Sequence, residues 1–309
     1  MPAYPKALYD LMRQHDVVSV HTPTPETALI AAMSKLTGKK VIVTHHGDLI
    51  LPDGLTNRII QGAMYWMYGL LARQASRILA YSQDYADHSY YLQPFMQKVT
   101  AVYPPIQMPQ PNPQRVEELR AEWSKDGGAV IGYAGRFVEE KRPDLAIRAL
   151  EVINQKYPNA RLVFAGQHII PYEKTWERQQ ALVNQYHDQL VFLGLLEDPQ
   201  EMANFFAACD VLVLPSDTEC FALVQVEAML CGTPVVMTDV PGGRVPVRET
   251  GMGKLARKGD WQSIGAALVD VLEHPDQYHK PRAFIEQKFS FQETVDRYEQ
   301  QFRAYANEH

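Results

Sequence analysis

Three stretches carry residue types whose spacing suits chemistry on a charged, hydroxyl-rich ligand. The first is Gly135-Arg-Phe-Val-Glu-Glu-Lys141. Arg136 and Lys141 flank a turn that follows an apolar run and precedes a helical pattern. Two cations beside a helix N-terminus make an anion site, and a diphosphate fits the charge. A solvated turn, with the cations paired to Glu139 and Glu140, is the competing reading. The second stretch is Pro215-Ser-Asp-Thr-Glu-Cys-Phe-Ala-Leu-Val-Gln-Val-Glu-Ala-Met-Leu-Cys-Gly-Thr-Pro-Val-Val236. Glu219 lies in a turn and Glu227 on the following helix, eight positions on. That is close to two helical turns, so both carboxylates are expected along one side of the helix. A carboxylate accepts hydroxyl hydrogen bonds in pairs, and the amides at the helix entrance can receive phosphate. An amphipathic helix with one surface glutamate would leave Glu219 and the Gly232-Thr-Pro234 ending as coincidence. The third stretch is Thr44-His-His-Gly-Asp48, after a strand. Adjacent side chains on a strand end point apart, so His45 and His46 do not suggest a metal pair, and no metal is expected. A structural or surface role for both histidines stays open.

These stretches need a scaffold that brings strand ends to one edge. In the first part, strands are expected at 17–21, 40–45, 77–81 and 99–103, and helices at 6–14, 26–36 and 55–75. Tyr103 to Pro113 then holds five prolines in eleven residues, which marks a linker or a domain crossing. In the second part, strands are expected at 129–134, 161–165, 190–193, 211–214 and 234–237. Helices are expected between them at 141–156, 172–187, 199–208 and 221–231, and the chain is mostly helical from Trp261 onward. Short apolar strands alternating with helices imply an α/β fold, with a parallel sheet covered on both faces. The first part opens on a helix, where a doubly wound domain opens on a strand and a Gly-rich turn. Such a first strand is central, so its loss should leave a gap between neighbours. Either the protein starts further upstream or another element fills the slot.

Length and composition narrow the partners. A chain of 309 residues suggests two domains or one large one, and 46% hydrophobic with 21% charged residues is globular. A net charge of -6 argues against a nucleic-acid partner. Residues 1–110 carry 9 basic and 7 acidic side chains, against 21 and 29 in the rest. A mildly basic first domain could face anionic lipid or an anionic acceptor, although random surface variation gives the same excess. The apolar stretch 62–72 falls short of the ~20 residues that span a bilayer. Met1-Pro-Ala-Tyr-Pro5 does not read as a secretory signal. Three cysteines without a CxxC pair read as reduced thiols, which points to the cytoplasm. The helix at 55–75 contains Met64-Tyr-Trp-Met-Tyr68 and could lie peripherally on the inner face of a membrane, or simply pack on its sheet.

The pair Glu219-x7-Glu227 within PSDTECFALVQVEAMLCGTPVV resembles the signature of glycosyltransferase family 4, retaining enzymes with two Rossmann-like domains (the GT-B architecture). GRFVEEK resembles the family's phosphate-binding motif, and DVPGGRVPVRETGMGKLARKGD, from Asp239 to Asp260, its following segment. The resemblance covers about residues 16–300. It implies an N-terminally truncated acceptor-side domain at 1–106, a donor-nucleotide domain at 107–288, and a helix at 289–309 that crosses back. It implies transfer of a hexose from a nucleoside-diphosphate sugar, of UDP or GDP type, to a hydroxyl of a lipid, saccharide or small molecule, with retention and in glycan or cell-envelope biosynthesis. No further cofactor is implied. Arg136 and Lys141, beside Gly135, would neutralise the diphosphate. Glu219 would hold sugar hydroxyls and Glu227 the ribose. The amides near Phe221, Ala222 and Leu223 would touch sugar and phosphate, and His46 would lie against the donor sugar. The sequence departs from the family at Ala222, where glycine is usual, at Pro104-Pro105, where Asn-Gly is common, and at the absent opening strand and Gly-rich loop. A non-catalytic nucleotide-sugar-binding module, a sugar-nucleotide epimerase and a phosphorylase on the same architecture are the alternatives.

Overall fold

A computed structural model describes residues 4–51, 54–171 and 173–306. In chain order the first elements are α1 (Tyr4–Gln14), β1 (Val17–Thr22), α2 (Thr27–Thr37), β2 (Lys40–His45), α3 (Leu55–Gln74), β3 (Arg77–Ala80), the short α4 (Gln83–Ala86) and β4 (Val99–Ala101). Next come α5 (Pro113–Trp123), β5 (Val130–Ala134), α6 (Pro143–Ile153), β6 (Arg161–Ala165), α7 (Thr175–Arg178), α8 (Gln180–Gln185), β7 (Leu190–Gly194), α9 (Pro199–Ala208) and β8 (Val211–Leu214). The chain continues through α10 (Leu223–Leu230), β9 (Val235–Thr238), α11 (Val245–Thr250), β10 (Gly253–Ala256), α12 (Trp261–Glu273), α13 (Pro275–Tyr278), α14 (Arg282–Lys288) and α15 (Phe291–Ala306). It forms two compact units: Met1–Pro105 with Gln292–His309, and Ile106–Phe291. No helix of the described residues is long and apolar enough to cross a membrane.

In the first unit the strand order is β1-β2-β3-β4 and every pairing is parallel. Parallel strands are buried on both faces and therefore read as continuous apolar runs; Val41, Ile42 and Val43 of β2 and Ile78 and Leu79 of β3 are fully buried. The register sets Thr22 against His45 and His45 against Ala80, so the carboxyl ends of β1, β2 and β3 share one edge. The four strands are consecutive neighbours, which corrects the expectation of an internal gap. Among the described residues β1 pairs only with β2, so the open position lies outside the sheet and splits no pair of strands. Tyr298, Phe302 and Tyr305 of α15 pack against Ile42, Leu79 and Val102 of this unit. Helix α3 divides into two halves. Its C-terminal part buries Tyr68, Gly69, Leu71 and Ala72, whereas Leu55, Ile59 and Trp66 stay exposed. The Lys98 ammonium donates to the carbonyls of Ala72, Arg73 and Ala75, which caps the end that is packed.

The second unit has the order β10-β9-β8-β5-β6-β7, again wholly parallel. Chain direction reverses its winding between β5 and β8. That is the topological switch point, where the loops after two adjacent strands diverge and leave a crevice. All of β5 and β8 is buried. Asp198 accepts from Gln200 N to cap α9, and Asp260 from Ser263 N to cap α12, each satisfying an amide that the helix cannot. The helix expected at 172–187 is broken into α7 and α8; Tyr172 lies outside the described residues. Strand β10 had no counterpart among the expected elements.

Candidate functional site

The loops that leave β5 and β8 are held to each other and to the end of β6. Gly135 N donates to Ala165 O at 2.9 Å and Phe137 N to Gln167 O at 2.9 Å. Gly166 lies at φ 143°, and a Cβ there would fall 2.1 Å from Gly135 O, so only glycine lets the two strand ends meet. Phe137 is buried among Phe164, Trp176 and Phe192. That anchor turns its neighbour Arg136 outward, half exposed, with Glu140 at 3.6 Å. The pairing of Arg136 is the one the solvated-turn reading anticipates. Lys141 behaves differently. Its ammonium donates to Glu219 Oε1 at 2.6 Å, and Ser216 Oγ donates to the same oxygen at 2.8 Å. Next to it, Arg142 bonds Asp144 and reaches Asp217 at 3.3 Å, while Asp217 N donates to Glu140 O at 2.8 Å. Three contacts thus stitch the two loops across the switch point.

Glu219 is not on the helix. Its backbone bridges to Gly242, and α10 begins four residues later at Leu223. Ala222 intervenes with φ 56° and ψ 73°, a left-handed conformation that no helix contains. The eight-residue spacing to Glu227 is therefore not a helical spacing, and the expectation of two carboxylates along one helix side is corrected. Glu227 does lie on α10. Burial alone pushes its carboxyl above the ordinary value, and no hydrogen bond or ion pair among the described residues reaches it. A desolvated carboxylate without donors gains most from a ligand that brings hydroxyls. Phe221 is fully buried against Phe289, which fixes the entry to α10. The first amides of α10, from Leu223 on, have no acceptor within the helix. Behind Glu219, Gly242 and Gly243 pack so closely that a Cβ on Gly242 would lie 2.5 Å from Cys220 O, and one on Gly243 would lie 3.1 Å from Glu219 Cβ. Gln225, fully buried, donates to Gly243 O at 2.6 Å. Gly242 and Gly243, from the Asp239–Asp260 stretch, thus back Glu219.

The first unit carries a second cluster. His45 is buried and its ring sits between Thr22 Oγ1 at 3.0 Å and Asp48 Oδ1 at 3.1 Å. Asp48 also accepts from Ser89 Oγ at 2.7 Å and Tyr90 N at 2.9 Å. Burial pushes that carboxyl up, but the hydrogen bonds from His45, Ser89 and Tyr90 outweigh it and hold Asp48 below its ordinary value. His45 is thus structural. His46 is half-buried and meets Tyr81 Oη at 2.7 Å through Nδ1 and His21 Nδ1 at 2.6 Å through Nε2. Burial first, then the neighbouring His21 and His45, push its imidazolium down, so the neutral ring is favoured. If Tyr81 donates to Nδ1, Nε2 carries the proton and donates to His21. Among the described residues, no group of three or more His, Cys, Asp or Glu side chains is placed to hold a metal ion.

Sequence reasoning missed Arg142, Asp217, His21 and Tyr81. Arg142 directly follows the first motif and Asp217 lies inside the second, so contiguity was the available signal. His21 and Tyr81 sit at or beside the ends of strands that parallel pairing must align with β2.

Residues 115–288 match the family model described as glycosyl transferases group 1, and residues 1–108 match that of glycosyltransferase family 4. One curated relative, a D-inositol 3-phosphate glycosyltransferase of Segniliparus rotundus, is 28% identical over 239 residues, 74% of this chain and 52% of its own. The chain thus spans about half the length of that relative. A protein of the same name from Arthrobacter sp. is 25% identical over 94% of this chain and 69% of its own. Among solved structures, Anabaena HepE in complex with UDP-glucose superposes with a TM-score of 0.82 at 20% identity, over 97% of this chain and 82% of that one. Sucrose-phosphate synthase from Thermosynechococcus elongatus gives 0.79 at 19% identity, over 98% and 77%. These structural likenesses are of the fold, two Rossmann-like α/β units of the GT-B type.

Proposed function

Because the chain belongs to the glycosyltransferases of group 1, we propose that it moves a hexose from a nucleoside-diphosphate sugar to a hydroxyl acceptor with retention at the anomeric carbon. The observation that carries this reading is the Lys141–Glu219 pair at the β5/β8 switch point, with Arg136 in the same loop as Lys141 and with Glu227, which pairs with none of the described residues, on the helix that follows Glu219. A UDP-type donor is favoured, since the structural neighbour HepE is solved with UDP and with UDP-glucose.

The geometry gives each residue a task. A diphosphate at the switch point offers Lys141 a better partner than Glu219, because it brings more negative charge. Transfer of the ammonium to phosphate would free the Glu219 carboxylate, still held by Ser216, for the hydroxyls of the sugar. Arg136 would leave Glu140 for the same diphosphate, and the amides at Phe221, Ala222 and Leu223 would add the field of the α10 N-terminus. Glu227 would accept the two ribose hydroxyls. Gly135, which carries no side chain, would lie beside the phosphates. In the step itself, the bond from the anomeric carbon to the leaving phosphate oxygen breaks. The bond to the acceptor oxygen forms on the same face, and the acceptor proton passes to a donor phosphate oxygen. Arg136 and Lys141 stabilise the charge that develops on the leaving group, an electrostatic role that requires no metal. Glu219 is a binding group here and not a nucleophile. By the resemblance, His46 would lie against the donor sugar, with its ring held toward the neutral form.

A thermal-shift series with UDP, GDP and ADP tests the donor site. A ligand at about 100 times its dissociation constant adds about 2.7 kcal/mol of stability, a shift of a few degrees. One nucleotide should stabilise the protein and Glu227→Ala should abolish the effect. No shift with any nucleotide refutes the assignment. Transfer of labelled sugar from the matching donor then separates an enzyme from a module that only binds.

A further inference from the structure

We infer that the outward half of α3 is a docking surface for an anionic lipid bilayer. Leu55, Ile59 and Trp66 are 78%, 65% and 65% exposed. At 100° per residue they fall within roughly 40° of one another around the helix, on a line roughly 16 Å long. Arg73 continues that line and is exposed. The helix cannot turn this stripe inward, because its C-terminal half is already buried through Tyr68, Leu71 and Ala72 and capped by Lys98. Ile50, just ahead of the helix, adds a further exposed aliphatic side chain.

Charge identifies the occupant. The twenty residues of α3 include no Asp or Glu, and their only charged side chains are Arg58 and Arg73. A protein partner is met by a polar rim of mixed charge. Aliphatic residues and a tryptophan in line with Arg73, on a helix that carries no acid, suit the headgroup boundary of an anionic bilayer. The adjoining groove, about 690 Å³, runs between α3 and the segment that holds Tyr90 and Phe95. Two of its three tyrosines turn their hydroxyls to the backbone, Tyr65 donating to Leu49 O and Tyr91 to Tyr68 O, while Tyr90 is exposed. Arg73 lines this groove beside the rings of Tyr65, Trp66 and Tyr91, which sets a cation next to apolar faces, as a lipid phosphate above an acyl chain requires.

The test is cosedimentation of the full chain with vesicles of phosphatidylcholine, with and without phosphatidylglycerol. The native protein should bind only the anionic vesicles, and more weakly as salt rises. Ile59→Glu with Trp66→Glu should weaken binding by more than about tenfold, since two exposed apolar anchors become acids. Arg73→Gln should weaken it about fivefold, the loss of one basic residue at the surface. Matched melting curves establish that each variant is folded, and Trp66→Ser serves as a milder second variant. The proposal is overturned if the native protein stays in the supernatant, or if the Ile59/Trp66 variant binds as the native protein does. It is equally overturned if the native chain is a dimer that those substitutions disperse, which would assign the stripe to a second copy. None of these readouts depends on nucleotide binding or sugar transfer.

Discussion

The two units place their candidate residues in the same way and hold them by different forces. Each presents strand ends at one edge of a parallel sheet. In the second unit the edge is tied by charge: Lys141 to Glu219, and Arg142 to Asp144 and Asp217. In the first unit it is tied by hydrogen bonds that run from Tyr81 through His46 to His21, beside a partly buried carboxylate, Asp48. Ion pairs can be exchanged for a charged ligand, because a diphosphate competes for the same cation. A neutral network holds its geometry without offering a partner to such a ligand. On the proposed reading the second unit can exchange its ion pairs for a charged ligand, whereas the hydrogen-bond network of the first keeps its own geometry.

The strongest way to break this contrast is Glu219→Ala. It removes both the partner of Lys141 and the expected acceptor of sugar hydroxyls. We expect transfer to fall about a hundredfold or more, in the range seen when a preorganised polar contact to the reacting centre is lost. Affinity for the nucleotide alone should stay level or rise, since Lys141 is released to phosphate. Steady-state kinetics beside calorimetry with the nucleotide reads both. Unchanged transfer would show that the pair is only structural.

In the first unit the sharpest change is Asp48→Ala. It strands His45, Ser89 and the amide of Tyr90, and loss of hydrogen bonds to a charged group is worth about 2–3 kcal/mol. Hydrogen exchange should quicken in β2 and around residues 85–91, while the nucleotide response of the second unit persists. The pH dependence has a definite sign. Asp48 binds its proton more weakly when folded than when unfolded. Its contribution is complete above the ordinary value near 3.9 and is lost as pH falls through the lower folded value. The native chain and the variant should therefore converge in acid.

Strands and helices with one dominant signal were legible in the sequence. The strand expected at 211–214 and the helix at 199–208 occur as β8 and α9, because a buried apolar run and an Asp-Pro start leave little choice. Strand β10 was not legible: Gly253-Lys-Leu-Ala256 is short, lies at the sheet edge and keeps Lys254 paired to Asp270. The site was half legible. Lys141 and Glu219 stand out by motif, but their contact joins positions 78 apart, and only the strand order brings them together. The helical reading of Glu219 and Glu227 failed because a periodicity argument cannot see that Ala222 turns left-handed.

Tyr81→Phe probes the neutral network with a smaller effect. It removes the contact to His46 Nδ1 and keeps the ring. Nitrogen-15 shifts should then report a mixture of imidazole tautomers where the native protein has one. The native titration midpoint of His46 should lie below 6.5. Its folded form resists protonation more than its unfolded form, so His46 should reduce stability as pH falls through 6.5. If His46 assists transfer, the variant should lose up to about tenfold, one hydrogen bond's worth. A single tautomer in both proteins would show that the Tyr81 contact does not set the ring.

Ala222→Gly is the smallest and most balanced case. A left-handed alanine costs roughly 1–2 kcal/mol, which glycine would relieve. Against that, glycine loosens the unfolded chain by about 0.4–1 kcal/mol, and the buried methyl is worth about 0.8 kcal/mol. These terms nearly cancel, so stability should change by less than about 1 kcal/mol although a buried group is deleted. Ala222→Val should instead cost more than about 2 kcal/mol, because a β-branched residue at φ 56° is a true outlier. With the side chain gone, the backbone at the entry to α10 can approach a ligand more closely, so nucleotide affinity in the glycine variant should equal or exceed the native value. Thermal denaturation of the pair measures the difference. If glycine destabilised as much as valine, the methyl packing and not the left-handed turn would govern this position, and the charged edge of the second unit would be shaped by its core more than by its backbone.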